Sequence, residues 1–373
     1  MKRFMIALAA LVIIPVICSF RVSAEQIELF EDEKNRIEDS LSDEAKQGLR
    51  DIGIDGIDDV IGGGIDTSKV TDGIFDMLKR YSSAPISSLV IMLGALIIVS
   101  IAESYTFSLR YTHTKEVMSA AVSVFTASAV ILPVSQLATD TVAVIHSASS
   151  LMLLYLPVTA GITAFSGKAI TSAGYYAAVI TGAGLLSKLA SSVLAPLLNI
   201  FLSLSVCSGI SGRINLSGLT ETAAKAFKWT LTFAVSMFAA VTGLNSALAG
   251  AGDNLAGRAT KFALSSLIPM IGSSLAEAYQ SIQGSLGLLR SGLGVFVILT
   301  VLITFAPLLI RSLLWSLALS CVKMTADAFG VSSASRLFNA ITTFLSSLRA
   351  LLIAVTITFV ISSAAVIRMG GAI

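Results

Sequence analysis

The sequence predicts an all-α, polytopic membrane protein, and three observations lead to that fold class. Hydrophobic residues make up 55% of the 373 residues and charged residues only 13%, which is too apolar for a soluble domain of this length. Long apolar segments follow one another from Pro85 to the end, as they do in chains of membrane helices. The motif Ala-Pro-Leu-Leu at Ala195–Leu198 recurs 111 residues later at Ala306–Leu309. This fixed spacing indicates a parallel internal repeat.

The first 24 residues have the features of a secretory signal peptide. Lys2 and Arg3 form a basic start, an apolar run extends from Phe4 to Cys18, and small residues precede Glu25. A basic, then apolar, then small-residue order is typical of a signal that is removed from the mature chain. An uncleaved first membrane helix is the alternative that these residues leave open.

Residues 25–83 are predicted to form an acidic arm outside the cytoplasm. Glu25 to Arg80 holds sixteen of the twenty-three acidic residues. The run Ser40–Glu44 is a helix-start signal, and spaced apolar residues after it predict two short amphipathic elements. The arm either docks onto a partner or onto its own membrane domain, or it is a solvated acidic tether.

The rest of the chain divides into about 8–10 hydrophobic segments, arranged as two four-segment copies and a half copy. We place membrane repeat 1 at residues 84–194, repeat 2 at 195–305 and a partial repeat 3 at 306–373. The ten segments are Pro85–Ala102, Val117–Leu137, Val142–Phe165, Ala173–Leu194, Pro196–Ile210, Phe227–Ala249, Phe262–Ile282, Gly292–Phe305, Pro307–Val322 and Ile341–Ile367. Several are shorter than the roughly 20 residues that cross a bilayer comfortably.

Five prolines are candidate hairpin or gate residues. A 39-residue apolar stretch contains Pro196, and as one helix it would be about 58 Å long, nearly twice the hydrocarbon thickness. Proline is favoured in the first turn of a helix, and the residue before it is biased away from helix. We therefore predict Pro-initiated helical hairpins, crossing or re-entrant, at Pro196 and Pro307. Pro85 begins the matching segment of the first copy, and Pro157 and Pro269 correspond to one another upstream.

The basic residues favour an orientation with the arm outside. With ten crossings, nine basic loop residues fall inside, whereas Arg258, Lys261 and Arg368 fall outside, in agreement with the positive-inside rule. Without the hairpin at Pro196, three cations of the next loop would move outside. The charge bias therefore favours the hairpins.

Four charged residues are candidate intramembrane polar residues: Lys188, Glu277, Arg311 and Arg349. Charge within the hydrocarbon is costly, and it usually faces a cavity, a partner or the interface. Glu277 and Arg349 are equally compatible with helix ends from which their side chains snorkel to water.

Nothing in the chain is typical of an enzyme site. The sequence has only two histidines, no P-loop, no Ser-His-Asp set and no Cys-His cluster. We expect no enzymatic activity, no cofactor, no metal and no nucleic-acid partner. An ATP-driven step would require another subunit.

Three regions carry a resemblance to a known family over essentially the full length. They are the signal peptide ending Val22-Ser23-Ala24, the arm with Ile52–Ile57, and the polytopic region with Ala195–Leu198 and Phe305–Leu309. On these features the chain resembles the stage III sporulation protein AE family of endospore-forming bacteria. The resemblance implies a component of the mother-cell-to-forespore channel apparatus, located in the mother-cell membrane around the forespore with the arm in the intermembrane space.

The same resemblance implies a set of partners. They are the other stage III sporulation A-operon proteins, among them a cytosolic ATPase and ring-forming proteins, and through these a forespore membrane partner. An Oxa1-type membrane insertase is the expected assembly factor, and a homo-oligomer is also expected.

Three functions remain open from the sequence. The first is a conducting or gating core of the channel, needed for forespore development and late forespore gene expression. The second is a non-conducting membrane scaffold for the ring and ATPase subunits. The third is a secondary transporter, which the lack of obvious coupling-ion ligands other than Glu277 makes less attractive.

Overall fold

The computed structural model describes residues 35, 37–61, 67–108, 112–165, 169–210, 218–242 and 272–370. All regular structure in these ranges is helical, which confirms the predicted fold class. Some side chains near helix ends, that of Glu277 among them, also lie outside the description. Pro269 lies outside the described residues altogether.

Two short helices of the arm precede a set of long ones. In chain order the helices are α1 (Asp43–Asp51), α2 (Ile57–Ile61), α3 (Thr67–Ser108), α4 (Thr112–Phe165), α5 (Ala169–Leu189), α6 (Ala195–Ile210), α7 (218–242), α8 (Gly272–Ala328) and α9 (Ser332–Gly370).

Five stretches of the described helices are long and apolar enough to cross a membrane. They are Ser68–Ile98, Ala127–Ala164, Ser172–Cys207, Arg290–Ala328 and Ala334–Ala365. The polytopic character of the prediction is therefore confirmed, and these five stretches are longer than most of the ten predicted segments.

The long helices pack side by side as a bundle. α8 and α9 are antiparallel, and they are joined by a tight turn in which Gly330 has a φ of +74°. The amide of Val331 donates to the Ala326 carbonyl and that of Gly330 to the Asp327 carbonyl, a Schellman ending that requires the left-handed conformation of the glycine. α4 runs antiparallel to α8, because Asp140 contacts Arg311 while Thr163 contacts Arg290.

The predicted hairpin at Pro196 is wrong. α5 continues into α6 through a π-helical turn, Ala190–Leu194, and Ala195 has helical angles. The amide of Ala195 donates to the Ala190 carbonyl, five residues earlier, and this wider turn accommodates the proline, which has no amide hydrogen to donate. In apolar surroundings a broken helix leaves unpaired backbone groups, so a local adjustment costs less than a fold-back.

The other candidate prolines that the structure describes are also accommodated within helices. Pro307 lies inside α8, Pro85 inside α3 and Pro157 inside α4, so a hairpin at Pro307 is likewise wrong. The predicted break between Leu137 and Val142 is wrong too, since α4 runs through it.

The arm residues 37–60 dock onto the bundle. Ser42 caps α1 by accepting a hydrogen bond from the Ala45 amide, and the apolar faces of α1 and α2 are buried against α3 and α8. Gly48 is so close to Ile303 of α8 that a side chain on Gly48 would collide with it. Of the two interpretations of the arm, the docked one holds for these residues.

Candidate functional site

An ion pair lies within the apolar bundle and joins two of its spans. Arg311 of α8 donates from Nη1 to Oδ2 of Asp140 on α4 at 2.9 Å. The two side chains remain 29% and 44% exposed. Removing both charges from water would cost several kcal/mol per ion, so a partly exposed pair needs access to water, a polar partner or the membrane surface.

Two more helices contribute to the same level of the bundle. The Arg311 guanidinium lies over the ring of Tyr81 on α3, with Cζ 5.9 Å from the ring centroid, a cation–π contact. Arg349 of α9 donates from Nη1 to the carbonyl of Ser312 at 3.4 Å. We call Tyr81, Asp140, Arg311 and Arg349 the charged layer.

Antiparallel packing explains why residues so far apart in sequence meet here. The charged layer joins α3, α4, α8 and α9, and its longest separation within a contact is the 230 residues between Tyr81 and Arg311. The layer carries two cations and one anion, so its net charge is positive. Arg349 lies in the middle of α9, not at a helix end as the snorkelling alternative required.

A second buried cation lies at the other end of an uncharged stretch of α8. Arg290 and Arg311 are separated by twenty uncharged residues, or about 31 Å along a helix. Arg290 is only 2% exposed, and its Nη1 lies 3.4 Å from the Thr163 hydroxyl of α4. The bundle therefore has two polar levels about one hydrocarbon thickness apart.

The four predicted polar residues have different surroundings. Arg311 and Arg349 come together in the charged layer, as described above. Lys188 is exposed on α5, next to Ser187, whose hydroxyl is 2.8 Å from Nδ1 of His146. Glu277 lies in the N-terminal part of α8, where the side chains are outside the description.

The four candidate gate prolines in the described residues do not form hairpins, but three of them share a level in the bundle. Pro307 is one turn before Arg311, and Pro85 is one turn after Tyr81. Phe201 of α6 contacts Phe344 of α9, and antiparallel packing then puts Pro196 level with Arg349. α3, α6 and α8 run in the same direction, as a parallel repeat would require; the repeat itself stays a prediction.

Sequence reasoning missed Asp140, Tyr81 and Arg290. Asp140 was assigned to a polar gap between two segments, and Arg290 to a loop. The run Thr139-Asp140-Thr141 is a cluster of residues typical of loops, so no local signal places Asp140 inside a helix. No local signal identifies the partner of Arg311, because that contact depends on packing.

The comparisons with known proteins identify the family. The family model of stage III sporulation protein AE matches residues 57–370, which is most of the chain and includes all the long helices. Comparison with curated proteins and with solved structures gave no match. The match over the whole helical bundle shows that this chain belongs to the stage III sporulation protein AE family.

Proposed function

We propose that this chain is a multi-pass component of the channel complex that links mother cell and forespore, needed for forespore development and late forespore gene expression. The observation that carries the proposal is the charged layer. A partly exposed ion pair between apolar helices is what a water-accessible entrance into a membrane assembly requires. Family membership supplies the sporulation setting.

The charge distribution supports an orientation with the arm outside the cytoplasm. Helices α3, α6 and α8 end, and α4 and α9 begin, at the end of the bundle opposite the arm. The basic residues that lie near these helix ends in the sequence are Arg110, Lys115, Arg213, Lys225, Lys228, Lys323 and Arg336. The positive-inside rule assigns that end to the cytoplasm. Arg290, which the ten-crossing scheme counted inside, lies at the arm end.

This orientation leads to a location and partners. We propose the mother-cell membrane around the forespore, with the arm in the intermembrane space. Ring-forming proteins of the stage III sporulation A operon would then meet the arm end, and the cytosolic ATPase the basic end. Membrane insertion by an Oxa1-type insertase, assembly of several copies and the absence of enzymatic activity belong to the same proposal.

Solute efflux from liposomes tests the channel function. The purified chain is reconstituted alone and then with its operon partners, and release of a small entrapped dye is followed. We expect efflux that depends on the charged layer, so that Asp140→Asn or Arg311→Gln changes its rate. Lys225→Gln, a substitution on the exposed face of α7, is the matched control and should leave the rate unchanged.

The outcomes separate a pore from a scaffold. Dye release by the chain alone would mean that this chain forms a pore by itself. Dye release only in the presence of the operon partners would mean that several proteins form the pore together. If the whole assembly forms in liposomes and releases nothing, the channel proposal fails.

One observation favours the scaffold as the second candidate. The five apolar stretches have 31 to 39 residues, or about 46 to 59 Å of helix, whereas the hydrocarbon is about 30 Å thick. Apolar surface beyond the bilayer is then available to bind other subunits. Loss of partner recruitment on deletion of the arm, while substitutions in the membrane segments are tolerated, would support the scaffold.

A further inference from the structure

The Arg290 side chain has no countercharge in the described part of the protein. It is 2% exposed, its Nε has no hydrogen-bond partner, and its contact with Thr163 is long for a hydrogen bond. Arginine keeps its charge under all conditions in which proteins fold. A buried, unpaired guanidinium is strongly destabilising unless a compensating group is present.

A second unpaired donor lies beside it. The hydroxyl of Tyr155 on α4 is completely buried without a partner, and it interacts electrostatically with Arg290. The neighbouring hydroxyl of Tyr175 is satisfied, since it donates to the Ser362 carbonyl of α9. Arg290 and Tyr155 are therefore two donors that need one acceptor.

The surroundings limit the size of that acceptor. A Cβ on Gly294 would lie 3.2 Å from the Tyr155 oxygen and 2.5 Å from Cγ1 of Ile367, so glycine at this position lets α8, α4 and α9 come together. Close packing on this side of Tyr155 favours an acceptor smaller than a lipid headgroup. A single-atom anion needs the least space.

We infer that Arg290 and Tyr155 bind a small inorganic anion of the chloride class, which locks the arm end of α8 to α4. Thr163 is not a ligand, because its hydroxyl donates to the Thr159 carbonyl and only accepts from Arg290. Guanidinium and hydroxyl hydrogens are suitable ligands for a halide, and burial strengthens their attraction for it. The anion would supply the missing countercharge. This inference does not depend on the proposed channel function.

The test is the anion dependence of thermal unfolding of the full chain in detergent, followed by tryptophan fluorescence. Chloride replaces gluconate, which is too large for the site, at constant ionic strength. We expect the midpoint of the wild type to rise by about 3 °C at saturating chloride. Arg290→Gln should abolish the rise, and Tyr155→Phe should reduce it.

Two further variants keep the test independent of misfolding. Arg290→Met removes the buried charge, so its midpoint in gluconate should equal or exceed that of the wild type and should not respond to chloride. Arg349→Gln removes a cation from the same kind of apolar span and should keep the full chloride response. Radioactive chloride retained in equilibrium dialysis should fall to background in Arg290→Gln.

Three results would overturn the inference. The first is an equal chloride response in the wild type and Arg290→Gln. The second is a wild type that retains no chloride. The third is stabilisation by phosphate or anionic lipid alone, which would mean a larger site than the packing permits.

Discussion

The two halves of the bundle on either side of the charged layer differ in what surrounds them. Between Arg290 and Arg311, α8 is covered by the arm and by the start of α3, whose outward side chains at Lys69, Asp72 and Arg80 are charged and exposed. Beyond the layer, residues 81–102 of α3 contain no charge. That stretch exposes large apolar side chains at Ile86, Val90, Ile91, Ile97, Ile98 and Ile101.

This difference shows that the apolar composition of a helix does not by itself determine where the bilayer lies along the bundle. The Arg290–Arg311 half has the most apolar helix, yet charged residues lie alongside it, and each would cost about 2.5–3.5 kcal/mol in the hydrocarbon. The half beyond the layer has no such neighbours on α3. We therefore expect the bilayer to surround the half beyond the charged layer, with the layer itself at the outer membrane surface.

The largest effect on membrane insertion is expected from a charge on the exposed surface of the half beyond the charged layer. The same charge on the Arg290–Arg311 half should have a much smaller effect. Ile91 of α3 and Ile357 of α9 are 53% and 51% exposed, one in each half. Ile91→Asp should cost about 3 kcal/mol of insertion free energy and deplete the protein from membranes. Ile357→Asp should cost less than about 1 kcal/mol. Quantitative blotting of membrane fractions measures both.

Equal depletion by the two aspartates would contradict this placement. A greater loss with Ile357→Asp would reverse it. Ile91→Asn and Ile357→Asn are the controls, because they retain polarity without a charge.

A smaller effect is expected from undocking the arm. Gly48 contacts Ile303 across the α1–α8 interface, so Gly48→Leu overpacks it at a cost of about 1–3 kcal/mol. The arm should then be cleaved faster by added protease while the bundle stays intact. Gln47→Leu, at an exposed position of α1, is the matched control and should leave the cleavage rate unchanged.

The charged layer should contribute less to stability than to function. The Asp140–Arg311 pair is partly exposed, so a double-mutant cycle with Asp140→Asn and Arg311→Gln should give a coupling of about 1 kcal/mol in thermal unfolding. A coupling several times larger would mean that the pair is buried in the assembled protein. It would also argue against a layer at the membrane surface.

The smallest effect is expected on the exposed face of α7. Lys225 bonds Glu221 at 2.9 Å and lowers the pKa of that carboxyl. A carboxyl whose pKa is lower in the folded than in the unfolded state stabilises the folded protein at pH values above its unfolded pKa. That stabilisation is lost as the pH falls through the folded pKa. Because the pair is fully exposed, Lys225→Gln should raise the Glu221 pKa, measured by NMR, without a detectable change in unfolding midpoint. A clear destabilisation would show that α7 is covered in the assembly.

The sequence predicted the polytopic helical fold because composition and segment length follow directly from the cost of burying polar groups in lipid. It also singled out Arg311 and Arg349, since charges are conspicuous in apolar segments. The predicted hairpins at Pro196 and Pro307 were wrong. A proline raises the free energy of a continuous helix locally, but it does not decide whether the chain folds back or continues with an adjusted turn. A π turn before Pro196 absorbs that cost.

What the sequence by itself determined is therefore the class of protein, its family and the scarcity of charge after the arm. Only the tertiary structure decided which charges meet, that the arm covers part of α8, and where the long helices run through their prolines. The physical reason is distance along the sequence, because apolar character and helix propensity are properties of neighbouring residues. The pairing of Asp140 with Arg311, and the contact of Arg290 with Thr163, depend on the register of helices more than a hundred residues apart.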